Sequence, residues 1–399
     1  MDITVTPSKL CGRVRAISSK SHAHRLLICS FLARRPLSLD GMDISADIRA
    51  TYECLNALSE GEHELDCGES GSTLRFLLPV ISALGAETEL HGHGRLPSRP
   101  LSPLIEELEK NGATFSSHSL PIKTGGRLKS GSYTLPGDIS SQYISGLLFA
   151  LPLLEGDSTV TVTGKTESAA YIDMTIDALR AFSIEIERTP HGFFVAGNQQ
   201  YKASGNSDIQ GDWSNAAFFL CAGALGGDVT VTGLDRSCSQ SDRAVFELLS
   251  VFGAETSEDG GIRVSDGSLS PMKIDVSPCP DLFPALAVTA CAAKGDTVLY
   301  NAARMRIKES DRIDATAKLI RALGGKVTEG SDFLIVHGSG FLDGGTADSF
   351  NDHRIAMAAA TASCICRNNV VIRDAQAVSK SYPKFFEDFN SLGGKADVI

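Results

Sequence analysis

The residues best suited to chemistry in this 399-residue chain are cations placed where apolar runs begin. Lys20 and Arg25 flank one run, Arg75 lies about a turn into a second, and Arg95 and Arg99 follow the next strand-like segment. Arg304, Arg306, Lys308 and Arg312 crowd a later stretch, Arg354 opens another run, and Lys380 and Lys384 follow the last alternating segment. A planar guanidinium grips two oxygens of a phosphate or carboxylate at once, and an ammonium supplies a compact charge. Two carboxylates sit among these cations: Asp281, behind Pro278-Cys279-Pro280, and Glu309, between Lys308 and Arg312. An acid beside several cations is held ionised and serves as a base or an orienter. Spacing alone allows a plain N-cap for Asp281 and a plain salt bridge for Glu309 equally well.

The overall charge makes that clustering informative. Lys plus Arg total 37 against 48 Asp plus Glu, a formal charge of −11. Such a chain is a poor general binder of nucleic acid or anionic membrane, so an anionic ligand must be held by a local cation cluster. A single Trp and 7% aromatics argue against a base-stacking surface. With 42% apolar and 21% charged residues the chain reads as globular, with two or three domains. The ten Cys contain no C-x-x-C pair and lie mostly in apolar stretches. They read as buried free thiols in a reducing cytosol rather than a disulfide or zinc framework. His22-Ala-His24 and His91-Gly-His93 lack partners for a metal and read as turn or cleft-edge residues. No Walker or G-x-G-x-x-G motif follows a strand, and no apolar run reaches the roughly 18 residues of a membrane span. No signal peptide is visible at Met1 to Leu10. No metal and no cofactor are expected.

These groups must be positioned by a repeat. Six apolar, helix-like runs begin at Ser19, Ser70, Ser140, Trp213, Asp281 and Asp352. Their starts are about 50 to 75 residues apart, too long for a short solenoid. Each run turns into an alternating strand, such as Ser158 to Thr163 or Asp228 to Thr232, and then into an amphipathic helix, often ending at Gly. The unit reads as βαβαββ, which makes the chain α/β. The first helix of each unit is apolar nearly all round, so it is expected inside, with the sheets outside. Helix N-termini carry unpaired N–H groups and partial positive charge, so converging starts would bind anions.

With the cations, carboxylates and repeats in place, the chain resembles the 5-enolpyruvylshikimate-3-phosphate synthases (3-phosphoshikimate 1-carboxyvinyltransferases) of the enolpyruvyl transferase family. The resemblance runs from Ser19-Lys20-Ser21 to Lys380-Ser381-Tyr382-Pro383. It includes Gly71-Ser72-Thr73-Leu74-Arg75, Ser140-Ser141-Gln142, Tyr171-Ile172-Asp173, Lys308-Glu309-Ser310-Asp311-Arg312 and Asn351-Asp352-His353-Arg354. It implies an inside-out α/β barrel architecture of two similar globules, each of three βαβαββ units with buried parallel helices. One globule would comprise 1–17 and 211–399, the other 18–210, with the active site in the cleft between them. The implied reaction moves the enolpyruvyl group of phosphoenolpyruvate to the 5-hydroxyl of shikimate 3-phosphate through a tetrahedral intermediate, releasing phosphate.

The resemblance also assigns residues. Asp281, Glu309 and Lys20 would be catalytic. Shikimate 3-phosphate would meet Lys20, Ser21, Arg25, Ser140, Ser141, Gln142, Ser168, Tyr171, Asp281 and Lys308. Phosphoenolpyruvate would meet Lys20, Gly71, Arg75, Arg95, Gln142, Arg312, Arg354 and Lys380. The implied protein is a cytoplasmic monomer open to the inhibitor glyphosate beside Gly71. Departures from the family pattern are Glu69-Ser70 before Gly71, Ala169-Ala170 before Tyr171, and Arg304. Enolpyruvyl transfer to UDP-N-acetylglucosamine is the nearest alternative, but the segment Leu90 to Leu101 lacks the reactive Cys that such enzymes carry. An RNA-terminal phosphate cyclase and a non-catalytic repeat scaffold are further alternatives. The acidic balance argues against the first, and Asp281 and Glu309 among so many cations argue against the second.

Overall fold

The computed structural model describes residues 1–35, 39, 43–165, 169–202, 209–258 and 260–399. The chain forms two compact units, Met1–Ser18 with Gln210–Ile399 (unit 1) and Ser19–Ile209 (unit 2). Unit 2 carries helices α1 (Lys20–Leu32), α2 (Ala46–Glu60), α3 (Gly71–Leu84), α4 (Leu104–Lys110), α5 (Ser141–Ala150) and α6 (Ala169–Ala181). Unit 1 carries α7 (Trp213–Ala224), α8 (Ala244–Phe252), α9 (Phe283–Ala290), α10 (Arg312–Ala322), α11 (His353–Ala362) and α12 (Phe385–Ser391).

Among the described residues there are five four-stranded sheets, and all share one pattern. The strands before and after an apolar helix pair in parallel, as Ser132–Pro136 does with Ser158–Thr163 across α5. A helical crossover between the two strands favours that direction. The strands after the amphipathic helix then join antiparallel, as Gly192–Val195 does with both Ser158–Thr163 and Glu187–Thr189. Pairing is therefore one part parallel to two parts antiparallel, where the crossover signal alone favoured parallel. In unit 1 the repeat is permuted. Ile3–Thr6 supplies the last strand of the C-terminal sheet, between Val370–Arg373 and Lys395–Val398. Cys11–Arg15 lies parallel to Asp228–Thr232 and supplies the first strand of the next repeat.

Odd and even helices differ as their sequences require. Every residue of α9 and α11 is buried, and so are eleven of the residues of α7. By contrast α8 and α10 bury one face and leave charges outside. The α7 core includes Trp213, Phe218 and Phe219, each at most 1% exposed. A buried side chain of this size contributes about 1.5–3 kcal/mol, and its loss leaves a cavity. In unit 2, Pro79 inside α3 cannot donate to the carbonyl of Arg75. Gly146 of α5 lies against that carbonyl, where a Cβ would come within 2.4 Å of it. The two helices thereby approach closely at the turn that carries Arg75.

Candidate active site

In unit 2 the candidate residues gather at helix starts fixed by serine caps. Ser19, Ser70 and Ser140 each accept a backbone N–H of the following turn, from His22, Thr73 and Gln142. Such caps stabilise by about 1 kcal/mol each and leave neighbouring N–H groups directed outward. Lys20 opens α1 and pairs with Asp47 at 2.9 Å. Arg25 is buried and held by neutral acceptors: the Thr175 hydroxyl at 2.8 Å, the Ser21 carbonyl at 2.5 Å and the Tyr171 carbonyl at 2.8 Å. Its guanidinium also lies 5.1 Å over the Phe76 ring. Burial draws its pKa down to about 10, which still leaves it charged at neutral pH. Arg75 donates to Gln142 Oε1 at 2.8 Å and to the Pro100 carbonyl at 3.1 Å. Gln142 in turn donates to Ser72 Oγ at 2.8 Å, which joins the first turns of α3 and α5.

The Arg99 guanidinium lies against Gly71, with a nitrogen 2.7 Å from where a Cβ would stand. Arg95, the residue assigned from sequence, is exposed at the start of the short turn Leu96–Ser98. Both arginines follow the strand Glu89–His91, and sequence spacing did not separate them. Glu69 packs its carboxylate against Gly94. Ser140 and Ser141 are buried at the start of α5, and Tyr171 lies in the first turn of α6. Ser168 lies outside the described residues.

Unit 1 builds a different kind of site. Arg312 is 1% exposed and faces three carboxylates. Its Nε donates to Asp352 at 2.9 Å, one terminal nitrogen to Asp281 at 2.7 Å and the other to Glu309 at 2.8 Å. Asp281 also faces Lys308 at 3.6 Å and Arg354 at 3.3 Å. Asp352 caps α11 and accepts the Ser310 hydroxyl at 2.9 Å. The approach to α11 is bent by Phe350 and Asn351, both left-handed at φ 53° and 54°. That conformation is costly outside glycine, and Asp348 and Ser349 side chains brace it by accepting both backbone N–H groups. The bend presents the Asn351 carbonyl to Lys380 at 2.9 Å.

Asp281 does not cap its helix. The chain enters α9 through a tight turn, Pro280–Leu282, and no side-chain cap is formed. The carboxylate is instead committed to cations. Burial works to raise its pKa, but Arg354, Lys308 and Arg312 outweigh burial and hold it well below the ordinary carboxylate range. Lys308 moves the other way. Burial brings it down to about 8, helped by Arg304 and Arg312 and opposed by Asp281. Lys308 therefore gives up its proton more readily than a free lysine, and Asp281 is held toward its ionised form.

Sequence reasoning missed Asp242, which is 1% exposed and accepts the Ser214 hydroxyl. Burial first, and then the charge of Asp281, pushes its pKa up to about 7 against the pull of Arg354. It stands in a short turn before α8, and no sequence signal separates it from a surface acid. Asp47 and Thr175 were missed for the same reason. The histidine reading needs correction: His24 lies neither in a turn nor at an edge but inside α1, fully buried beside Thr51. The thiols are all free, with Cys11 exposed and Cys364 half-buried. Among the described residues no group of His, Cys, Asp and Glu is arranged to hold a metal, and no helix is long and apolar enough to cross a membrane.

Comparison with known proteins adds to this geometry. The family model described as EPSP synthase (3-phosphoshikimate 1-carboxyvinyltransferase) matches residues 59–389. A Clostridium kluyveri protein named 3-phosphoshikimate 1-carboxyvinyltransferase is 42% identical, over 99% of this chain and 98% of its own. One of the same name from Clostridioides difficile is 38% identical, over 99% and 98%. Among solved structures, EPSP synthase from Acinetobacter baumannii superposes with a TM-score of 0.80 at 26% identity, covering all of both chains. The enolpyruvyl transferase NikO from Streptomyces tendae shares the fold, with a TM-score of 0.77 at 17% identity, over 99% of this chain and 98% of its own.

Proposed function

The chain belongs to the EPSP synthase family and is an enzyme of enolpyruvyl transfer; from that premise we propose how its residues carry the reaction. The substrates are shikimate 3-phosphate and phosphoenolpyruvate, and both are anionic. Fixed cations and helix ends offset their mutual repulsion without reorganising. In unit 2, Ser140, Ser141 and Gln142 at the start of α5, with Lys20, Ser21, Arg25, Ser168 and Tyr171, take shikimate 3-phosphate. Gly71, Arg75 and Gln142 take the donor, and Arg99 joins them in place of Arg95. In unit 1, Lys308, Arg354 and Lys380 offer cations of their own for phosphate and carboxylate groups.

The observation that carries this reading is the Arg312 hub, which orients Glu309 and Asp281 while leaving them side by side with Lys308. The acceptor's 5-hydroxyl attacks C2 of phosphoenolpyruvate as C3 gains a proton; C3 then loses a proton as phosphate leaves. Glu309 serves C3. Asp281, strongly acidic, accepts a hydrogen bond from the attacking hydroxyl and aims it; the hydroxyl's proton passes to neutral Lys308 as the C–O bond forms, and Lys308 gives it to the departing phosphate. No cofactor is required, because phosphate is the leaving group. Glyphosate, an anion of similar reach, fits the same cations beside Gly71. The enzyme acts as a cytoplasmic monomer.

Phosphate release from phosphoenolpyruvate tests the reading. It is expected with shikimate 3-phosphate and not with UDP-N-acetylglucosamine. Release with the sugar nucleotide alone would overturn it.

A further inference from the structure

Unit 2 contains a buried run of polar side chains that the reaction does not use. His24 Nδ1 lies 2.7 Å from Thr51 Oγ1, Thr51 Oγ1 lies 2.6 Å from Thr73 Oγ1, and Thr73 Oγ1 donates to Ser70 Oγ at 2.7 Å. His24 belongs to α1, Thr51 to α2 and Thr73 to α3, and all four residues are 0% exposed. Polar groups this deep are costly unless satisfied, so such a run is retained only where it fixes something.

Proton counting gives the run a direction. Ser70 Oγ accepts both the Thr73 hydroxyl and the Thr73 N–H, as the cap of α3. The one hydroxyl proton of Thr73 is thereby used, so Thr51 donates to Thr73. The one proton of Thr51 is then used, so His24 donates from Nδ1. Burial, with the charges of Lys20 and Arg25, drives the His24 pKa well below its ordinary value, so the ring is neutral. Nε2 is then a bare nitrogen, which agrees with its being buried with no hydrogen-bond partner. All donors point toward Ser70.

We propose that His24, Thr51 and Thr73 are positioning residues whose one-way hydrogen-bond chain, spanning α1, α2 and α3, fixes the Ser70 cap and so aims the first turn of α3 at the donor's anionic groups. The inference rests on the reading that Gly71 and Arg75 take phosphoenolpyruvate. The cap sets the direction of the Gly71, Ser72 and Thr73 N–H groups, and the same turn carries Arg75 and the Ser72 hydroxyl that Gln142 contacts. A small rotation of the cap therefore misaims several anion contacts together. Among the acceptor groups, Ser140, Ser141 and Gln142 stand at the separate Ser140 cap of α5, outside the chain.

Steady-state kinetics on the full chain test this, with Thr51→Val to break the chain at nearly constant volume and Thr51→Ser to restore it. Thr51→Val is expected to raise the KM for phosphoenolpyruvate by about fivefold or more, with kcat and the KM for shikimate 3-phosphate within about twofold. Thr51→Ser is expected to return the donor KM to the wild-type range. A Thr51→Val protein that melts earlier but keeps both KM values, or that raises both alike, would reduce the chain to a structural role and overturn the proposal. Nitrogen-15 NMR on wild type gives a second measurement that needs no folded variant. His24 is expected to stay neutral with its proton on Nδ1 from about pH 5 to 9; a proton on Nε2 would break the chain's direction and overturn the proposal. A wild-type chain inactive with this substrate pair sinks the functional reading instead, and the tautomer then decides the chain by itself.

Discussion

Arg25 in unit 2 and Arg312 in unit 1 are both buried arginines beside helix starts, and their company is opposite. Arg25 is held by a hydroxyl and two carbonyls. Arg312 is held by Asp281, Glu309 and Asp352. A cation fixed by neutral dipoles keeps its charge for a ligand. A cation fixed by three carboxylates has spent its charge, and what it provides is a set of desolvated acids in fixed orientation. On the proposed reading, unit 2 holds anions with cations that have neutral partners, whereas unit 1 places acids and a titrating amine beside its own anion-binding cations. Lys20, paired with Asp47, is the place in unit 2 where the contrast softens.

The contrast can be broken from either side. The largest effect is expected from Glu309→Gln, which keeps the Arg312 contact but removes the proton carrier. Its kcat should fall by ~10²–10⁴-fold while its melting temperature stays near wild type. A variant that turned over normally would remove Glu309 from the reaction. Arg312→Met should come next. Glu309 and Asp352 would lose the Arg312 cation, and Asp281 would keep Lys308 and Arg354, at a cost of about 3–5 kcal/mol in urea unfolding. Arg25→Met should cost less, about 1–3 kcal/mol, because only neutral partners are stranded. Equal losses would erase the distinction between the two arginines.

A smaller effect sharpens the unit 1 side. Asp242 has its pKa raised on folding, so the protonated form is the favoured one. Its contribution to stability is complete below the unfolded value of 3.8 and is lost as pH rises through about 7. Asp242→Asn removes that dependence. The variant's stability relative to wild type should therefore climb between pH 4 and 7, by about 3–4 kcal/mol. A difference that stays flat across that range would show that Asp242 is ionised throughout.

Much of this was legible in sequence because it is periodic. Six apolar runs, five of them with serine or aspartate at their starts, announced six buried helices, and Gly after amphipathic runs announced their partners. The residues proposed to bind anions could be named as well, since helix starts and arginines are both visible in one dimension. Partner choice was not visible. Asp281 precedes a helix as any cap does, and only its distance to Arg312, more than thirty residues away in sequence, shows that it serves cations instead. Arg95 and Arg99 could be separated only by the turn Leu96–Ser98, which sends the first outward and folds the second against Gly71. His24 was misread because one residue beside a charged helix start gives no sign of burial, and its partner Thr51 lies on another helix. Long-range polar pairing leaves no period, so it stays hidden until the helices pack.

Calorimetric titration of shikimate 3-phosphate into Arg25→Gln and Asp281→Asn, with turnover measured on the same samples, addresses the division of labour most directly. Arg25→Gln should bind at least about tenfold more weakly, whereas Asp281→Asn should keep its affinity within a few-fold and lose turnover by ~10²-fold or more. Tight binding by Arg25→Gln together with normal turnover by Asp281→Asn would contradict the assignment of anion holding to one unit and acid placement to the other.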